Sequence, residues 1–434
     1  MSRPHSVVRR GLRRLFGTYV EQPIKHRTAS LARMRSGAEF ICITGSSGKS
    51  TTAVLLAHIL AGHAPTESQI FANTRPAIER CLRRLSSRTR CVVLETGVGQ
   101  KGDMETLSRL VRPTVGVVTL VTREHYSSFR SREGVAAEKG RLVEAIQPGG
   151  FAVLNADDDL VAAMAGRTRE RVVTLARHAK ADYRVTAGFP PRSAGLLVGV
   201  EGPRGVLSLR TRFLADHFWL ACAAAAVTAL ELGVPAALVA ERIEGFEGVQ
   251  DRFGLFETAD GPRFVLDTAK APWDTLFLSF DAFARLEGGF KRIVLGHISD
   301  YPGNPVPKYR DAYRKAADCA DQVIFVGDNA HRSRADAEAV ASGRFIGFPA
   351  VRDVAEYLRR AATADDLILL KGSRNLHLDR IALAWDIDVN CWNDQCGMSG
   401  GCRDCGLYEH PFEDHARIRK QQRRPGWLRR GSEA

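Results

Sequence analysis

An apolar stretch, Glu39-Phe40-Ile41-Cys42-Ile43-Thr44, runs into Gly45-Ser46-Ser47-Gly48-Lys49-Ser50-Thr51-Thr52 and then into a helical pattern. A strand, a glycine turn and a helix start in that order constrain the chain more than any other feature, because together they form a cradle for polyphosphate. The glycines let backbone N–H groups turn inward, and the helix N-terminus adds partial positive charge. Lys49 reaches the β- and γ-phosphates and the Ser50 hydroxyl is a ligand for Mg²⁺. Gly45, Ser46, Ser47, Gly48, Lys49, Ser50 and Thr51 are therefore the expected nucleotide contacts. The longer pattern G-x-x-x-x-G-K-[ST] is not met, since Ile43 stands where its first glycine would be.

A chain of 434 residues holds at least two cores of ordinary size. It has no uninterrupted apolar run of about 18 residues and no signal-peptide core, which predicts a cytoplasmic protein. The net charge of +13 is concentrated at the ends: residues 1–35 sum to +8 and residues 415–434 to +6, leaving the body near −1. Basic ends on a near-neutral body argue against a nucleic-acid groove and for contact with an anionic polymer or the inner face of an anionic membrane. Val8, Leu12, Leu15, Phe16, Tyr19 and Val20 recur at helical spacing among arginines. That pattern suits a helix lying on a membrane or one docked on its own protein.

Short apolar runs at 40–44, 91–95, 115–121 and 151–155 alternate with helical patterns at 50–61, 76–86, 133–146 and 217–232. A second set follows, with strands at 263–267, 292–296, 322–327 and 367–371 and helices at 308–319, 333–341 and 352–362. This alternation predicts an α/β fold: a P-loop domain with a mostly parallel sheet, followed by a smaller Rossmann-like α/β domain. The expected divisions are a basic extension at 1–37, a nucleotide domain at 38–250, a second domain at 251–388 and a Cys-rich basic tail at 389–434. The hinge falls in the glycine-rich stretch 244–249.

Downstream of the glycine loop, Glu95 ends an apolar strand and is followed by Thr96-Gly97, where ligands gather in an open α/β sheet. His125 follows the next strand, and Lys139 lies in Ala136-Ala137-Glu138-Lys139-Gly140. A carboxylate and an imidazole at adjacent strand ends could hold a metal over the phosphates. Singly, each residue has an ordinary structural explanation.

In order, these features resemble the Mur ligase family, ATP-dependent amide ligases, over roughly residues 38–385. The G-x-x-G-K-[ST]-T loop, Glu95-Thr96-Gly97, the spaced His125, Phe129 and Lys139, and Asn155-Ala156-Asp157-Asp158 all match family landmarks. Asp251-Arg252-Phe253 and Asp267-Thr268-Ala269-Lys270-Ala271-Pro272 follow, and Lys371-Gly372-Ser373-Arg374 is similar to the D-alanyl-D-alanine-adding member. The resemblance implies that a substrate carboxylate attacks the γ-phosphate of ATP and that an amine displaces phosphate from the acyl phosphate. It implies Lys49, Lys139, His125 and Arg252 as catalytic residues and Asp267 as a further nucleotide contact. Lys371, Ser373 and Arg374 would bind substrate, and Ser50, Glu95, His125 and Lys139 would hold Mg²⁺. Lys139 matches a lysine carbamylated by CO₂, a change that turns a cation into an oxygen donor for Mg²⁺. The implied partners are a small-molecule or polymeric carboxylate and an amino-acid or peptide amine, in building the cell wall or envelope.

Three departures qualify the resemblance. The adenine-reading asparagines of the family are replaced in His217-Phe218-Trp219-Leu220-Ala221, leaving Trp219 either a stacking platform or a core residue. Only about forty residues precede the loop, too few for the family's UDP-sugar-binding domain. Cys391, Cys396, Cys402 and Cys405, interleaved with glycines, could converge on structural Zn²⁺ or an iron–sulfur centre, or remain free thiols; His410 is a possible substitute ligand. A regulatory P-loop ATPase and a nucleotide-binding scaffold are the rival readings.

Overall fold

The computed structural model describes residues 22–124, 126–190, 195–394, 396–398 and 400–422. The amphipathic pattern at 8–20 lies outside the described residues. The chain divides into two compact units, one comprising residues up to Arg212 with Asp216–Glu247, the other Phe213–Ala215 with Gly248 onward. No helix among the described residues is long and apolar enough to cross a membrane.

In the first unit, nine strands form one sheet: β1 (Glu39–Thr44), β2 (Thr66–Gln69), β3 (Cys91–Glu95), β4 (Val115–Val118), β5 (Phe151–Asn155), β6 (Arg171–Ala176), β7 (Tyr183–Gly188), β8 (Leu197–Gly202) and β9 (Gly205–Arg210). Their spatial order is β2-β3-β1-β4-β5-β6-β7-β8-β9, parallel from β2 to β7 and antiparallel at β7-β8 and β8-β9. β1, β3, β4 and β5 are buried almost end to end, as apolar parallel strands covered on both faces must be. β7 to β9 alternate buried and exposed residues instead, and their single wet face hides them from a search for continuous apolar runs. β1 lies between β3 and β4, so the sequence leaves it in one direction and returns on its other side. That is a topological switch point, and a crevice opens at the carboxyl ends of such strands.

Two helices frame this crevice: α1 (Lys49–Ala61) directly after the glycine loop, and α2 (Arg132–Glu144), which starts on a Ser131 side-chain cap to the Gly134 N–H. α3 (Trp219–Glu231), buried around almost its whole circumference, packs against α1. The helix Gln22–Arg35 also belongs to this unit: Arg33 stacks 3.7 Å above the Phe40 ring and donates to the Arg112 carbonyl at 2.6 Å. Part of the basic N-terminal region is thus spent on the chain's own core.

The second unit has a six-stranded sheet in the order β10-β11-β15-β12-β13-β14, made by β10 (Gly254–Glu257), β11 (Arg263–Asp267), β12 (Lys291–Leu295), β13 (Gln322–Val326), β14 (Phe345–Phe348) and β15 (Leu367–Lys371). Only the edge pair β10-β11 is antiparallel. The expected strand at 115–121 is shorter than its apolar run. After Val118, Thr119 and Leu120 leave the sheet to bond the glycine loop. The helix expected at 333–341 also begins late, at Ala337, because Arg334 takes a left-handed conformation (φ 53°) after a 3₁₀ turn.

Candidate active site

Gly45 leaves β1 at φ 146°, and Gly48 starts α1 at φ 82°, conformations side chains resist. At Gly45 a Cβ would lie 1.9 Å from Thr119 Oγ1, so the close approach of strand and loop itself demands glycine. Thr119, fully buried, is the floor of the loop: its hydroxyl donates to the Ser47 carbonyl at 2.6 Å and lies 3.3 Å from that of Thr44. The Ser46 N–H donates to the Leu120 carbonyl at 2.7 Å, and the Thr122 N–H donates to Ser46 Oγ at 3.0 Å. Strand β4's exit therefore clamps the loop, a role for Thr119 that no local sequence signal carries.

Two lysines converge on this loop. Lys49 Nζ donates to the Gly45 carbonyl at 2.5 Å, and Lys139 Nζ, from α2, donates to the same oxygen at 3.0 Å. The Lys139 side chain is fully buried and lies 2.5 Å from Glu124 Oε1, itself buried. Its neighbour Glu138 points elsewhere, accepting from the Gly102 and Met104 N–H groups and so capping the helix Asp103–Val111. Glu124 was not singled out in the sequence; its place just after β4 is the signal that could have found it.

Glu95 ends β3 beside Ile43, its register partner on β1, and the Thr96 N–H donates to the Ile43 carbonyl at 2.9 Å. Its carboxylate accepts from the Phe71 N–H at 2.9 Å and from Asn73 Nδ2 at 3.3 Å, which fix its orientation. Gly97 is required here, because a Cβ would come 2.3 Å from the Asn73 amide. Ser50 and Thr51 are buried in the first turn of α1, and the Thr44 hydroxyl at the base of the loop is buried with no partner among the described residues. Hydroxyl and carboxylate oxygens at the carboxyl ends of β1, β3 and β4 are the hard donors that Mg²⁺ takes. The donor set thus fits Mg²⁺. His125 lies outside the described residues.

The turn after β5 supports the same loops. Asp158 caps the helix Asp159–Ala162 and also accepts from the Val121 N–H at 2.7 Å, tying the segment that carries Glu124 to β5. Asp157 accepts three N–H bonds, from Arg177, His178 and Ala179. Burial alone would raise its pKa, but those bonds outweigh it and hold the carboxyl below its usual range. Beyond, Arg177 lies over the Trp219 ring at 5.5 Å and pairs with Asp216 at 2.8 Å; Trp219 is half-buried, so it is not a core residue of the ordinary kind.

In the second unit, Asp267 and Lys371 are register partners at the ends of β11 and β15, and their buried side chains pair at 2.7 Å. Ser279 Oγ donates to the same Asp267 oxygen at 2.6 Å, and Lys371 also donates to the Lys270 carbonyl at 3.0 Å. Arg252 sits between Asp251 (φ 60°) and Phe253 (φ 52°), two left-handed non-glycine residues in succession around it, a strained geometry that packing must hold. Asp251 is buried and faces Arg403 at 3.4 Å and Arg374 at 3.8 Å. The first unit thus gathers Gly45, Lys49, Ser50, Glu95 and Lys139 around one loop, and the second gathers Asp267 with Lys371 and Arg374 with Asp251.

All nine cysteines are free thiols. Cys391, Cys396, Cys402 and Cys405 line one narrow void together with His377 and His415, while His410 is exposed and contributes only its carbonyl, to His415. Among the described residues, the metal-type donor atoms of His377, Asp379 and Cys402 lie within 4.8 Å of one another.

The Mur ligase middle domain family profile matches residues 43–230. The chain is 28% identical over 365 residues to the UDP-N-acetylmuramate–L-alanine ligase of Kineococcus radiotolerans, covering 81% of this chain and 74% of that one. It is 29% identical over 399 residues to the UDP-N-acetylmuramoyl-tripeptide–D-alanyl-D-alanine ligase of Mycobacterium tuberculosis, covering 85% and 77%. Its fold is that of MurF from Acinetobacter baumannii, with a TM-score of 0.73 at 22% identity, covering 83% of this chain and 79% of that one. The Thermotoga maritima MurF ligase in complex with ADP aligns with a TM-score of 0.72 at 19% identity over 83% of each chain. A glycine loop at the switch point, the middle-domain match over residues 43–230 and similar ligases along most of its length agree: the chain carries a Mur ligase middle domain and is an ATP-dependent, amide-bond-forming enzyme of that type.

Proposed function

We propose that this ligase joins the carboxylate of a cell-wall peptide precursor, as its relatives' names suggest, to the amine of an amino acid or dipeptide through an acyl phosphate. The observation that carries the reading is the pair of lysines on the Gly45 carbonyl, with Glu124 beside one of them and Glu95 at the neighbouring strand end.

Lys49 exchanges the Gly45 carbonyl for the phosphate oxygens of ATP and neutralises charge as a substrate carboxylate oxygen attacks the γ-phosphorus and ADP leaves. The amine then attacks the acyl carbon and phosphate departs, which requires that water be kept out between the two steps. Mg²⁺, when bound, neutralises phosphate charge; Ser50, Glu95, His125 and Lys139 would hold it. For Lys139 this means carbamylation: the ammonium sheds one proton to free its lone pair, Nζ bonds the carbon of CO₂ and sheds a second, and the ion pair with Glu124 becomes two adjacent anionic donors. Arg252 and Asp267 serve the nucleotide, and Lys371, Ser373 and Arg374 the second substrate. Domains at 38–250 and 251–388 divide those tasks, and a zinc ion held among Cys391, Cys396, Cys402 and Cys405 staples the tail. The enzyme works in the cytoplasm, with basic ends resting on an anionic surface.

The test is an ADP-release screen of the purified chain against muramyl peptides, acidic glycans, amino acids and dipeptides, with mass spectrometry of the product. ATP turnover indifferent to every carboxylate and amine would overturn the reading.

A further inference from the structure

The Cys-rich segment does more than fill a corner of the second unit. His415 is 3% exposed and lines the void shared by the four cysteines. Its Nε2 lies 3.0 Å from the His410 carbonyl, which can only accept, so Nε2 carries the proton. Nδ1 therefore presents a lone pair, and it is buried with no partner among the described residues. A metal-bound histidine has this arrangement, with the distal N–H anchored on a carbonyl. Around the same void, Arg419 Nη2 donates to Cys405 Sγ at 3.2 Å, and the Cys402 N–H donates to Asp379 at 2.7 Å. His377 lies between Cys396 Sγ, at 3.2 Å, and Cys402 Sγ, at 3.5 Å. The void has room for one atom of about water size.

The segment also touches the strained turn around Arg252. A Cβ on Gly401 would lie 2.9 Å from Asp251 Oδ2, and Arg403, between the two cysteines of Cys402-Arg403-Asp404-Cys405, pairs with Asp251 at 3.4 Å. Asp251 in turn faces Arg374.

We propose that three of the four thiols facing this void, as thiolates, and His415 Nδ1 hold one zinc-class ion, and that the metal-held turn, through Arg403, braces Asp251 and thereby the backbone of Arg252 and the side chain of Arg374. The bracing role deepens the ligase reading, whereas the ion stands on its own readout. Four-coordinate thiolate and imidazole donors are the ordinary structural zinc set, and they fix a short segment too small to hold its shape alone.

The experiment uses the full chain purified without chelator. Mass-spectrometric metal analysis is expected to find about one zinc per chain, and Co²⁺ exchange to give thiolate charge-transfer absorption. His415→Ala should lose the ion to a chelator at least about ten-fold more readily, and Cys402→Ser with Cys405→Ser should lose it outright. A chain that carries no metal and takes up neither Zn²⁺ nor Co²⁺ overturns the site, and unchanged retention in His415→Ala overturns the ligand assignment. For the brace, hydrogen exchange across residues 248–254 should quicken on metal removal, and Arg403→Ala, which keeps its metal, should quicken it too. Arg403→Ala should raise KM for the amine several-fold with less change in kcat, with partial rescue by Arg403→Lys. Unaltered exchange in both overturns the bracing role even if the ligase substrates are never found.

Discussion

Lys49 and Lys139, on different helices, donate to one oxygen, the carbonyl of Gly45, at 2.5 and 3.0 Å. Two cations of this kind aimed at one turn prepare it for anions, and each is held by a contact that a phosphate or a metal-bridged carboxylate can replace. The two differ in what else depends on them. Among the described residues Lys49 bonds carbonyls of its own loop, those of Gly45 and Ser46, whereas Lys139 is paired with a buried carboxylate.

From that difference, Lys49→Ala should abolish ATP consumption while shifting urea-unfolding stability by less than about 1 kcal/mol. Lys139→Ala should also abolish turnover, but at a cost of about 3–5 kcal/mol, because Glu124 is left buried without its cation. Lys139→Ala with Glu124→Gln should recover much of that stability and none of the activity. Acetate or formate should partly restore turnover to Lys139→Ala by standing in for the carbamate oxygens; no restoration at any concentration would remove the carbamate from the mechanism.

Gly45→Ala is expected to eliminate nucleotide binding in calorimetry, since its Cβ would meet Thr119 Oγ1 at 1.9 Å. Adding Thr119→Ala should not rescue it, because the Leu120 backbone is 3.2 Å away and φ at Gly45 is 146°. Full binding by the double variant would mean that the loop relaxes without cost.

The Asp157 carboxyl is held below its usual 3.8 by three backbone N–H groups despite burial. A folded-state pKa below the unfolded one gives stability that is present above the unfolded value and lost as pH falls through the folded one. The stability gap between the native chain and Asp157→Asn should therefore be full at neutral pH and close as pH drops below the carboxylate range. A gap independent of pH would show that the aspartate acts by shape alone.

Lys371 and Asp267 form a buried pair joining β15 to β11. Lys371→Met should destabilise the second unit by about 3–5 kcal/mol in urea unfolding, and adding Asp267→Leu should return part of it, as removing both charges is gentler than stranding one. Equal losses for single and double variants would argue against the pair as a coupled unit.

Local rules explain why so much of this was legible in the sequence. A strand, a glycine turn and a helix start are read from neighbouring residues, and buried parallel strands announce themselves as unbroken apolar runs, so the runs and the bounds of β1, β3, β5, β11 and β15 agree to within a residue. Strands with one wet face, such as β7 to β9, carry a weaker alternating signal that a search for apolar runs does not detect.

By itself, then, the sequence determined the phosphate loop, the alternation of elements and the residue types that an amide ligase requires, because each depends on backbone preference or side-chain chemistry within a short window. Only the tertiary structure decided which distant groups meet: Thr119 under the loop, Glu124 against Lys139, Asp158 on Val121, and His415 rather than His410 beside the cysteines. Such partners are set by strand order and register, and spacing along the chain carries no record of them.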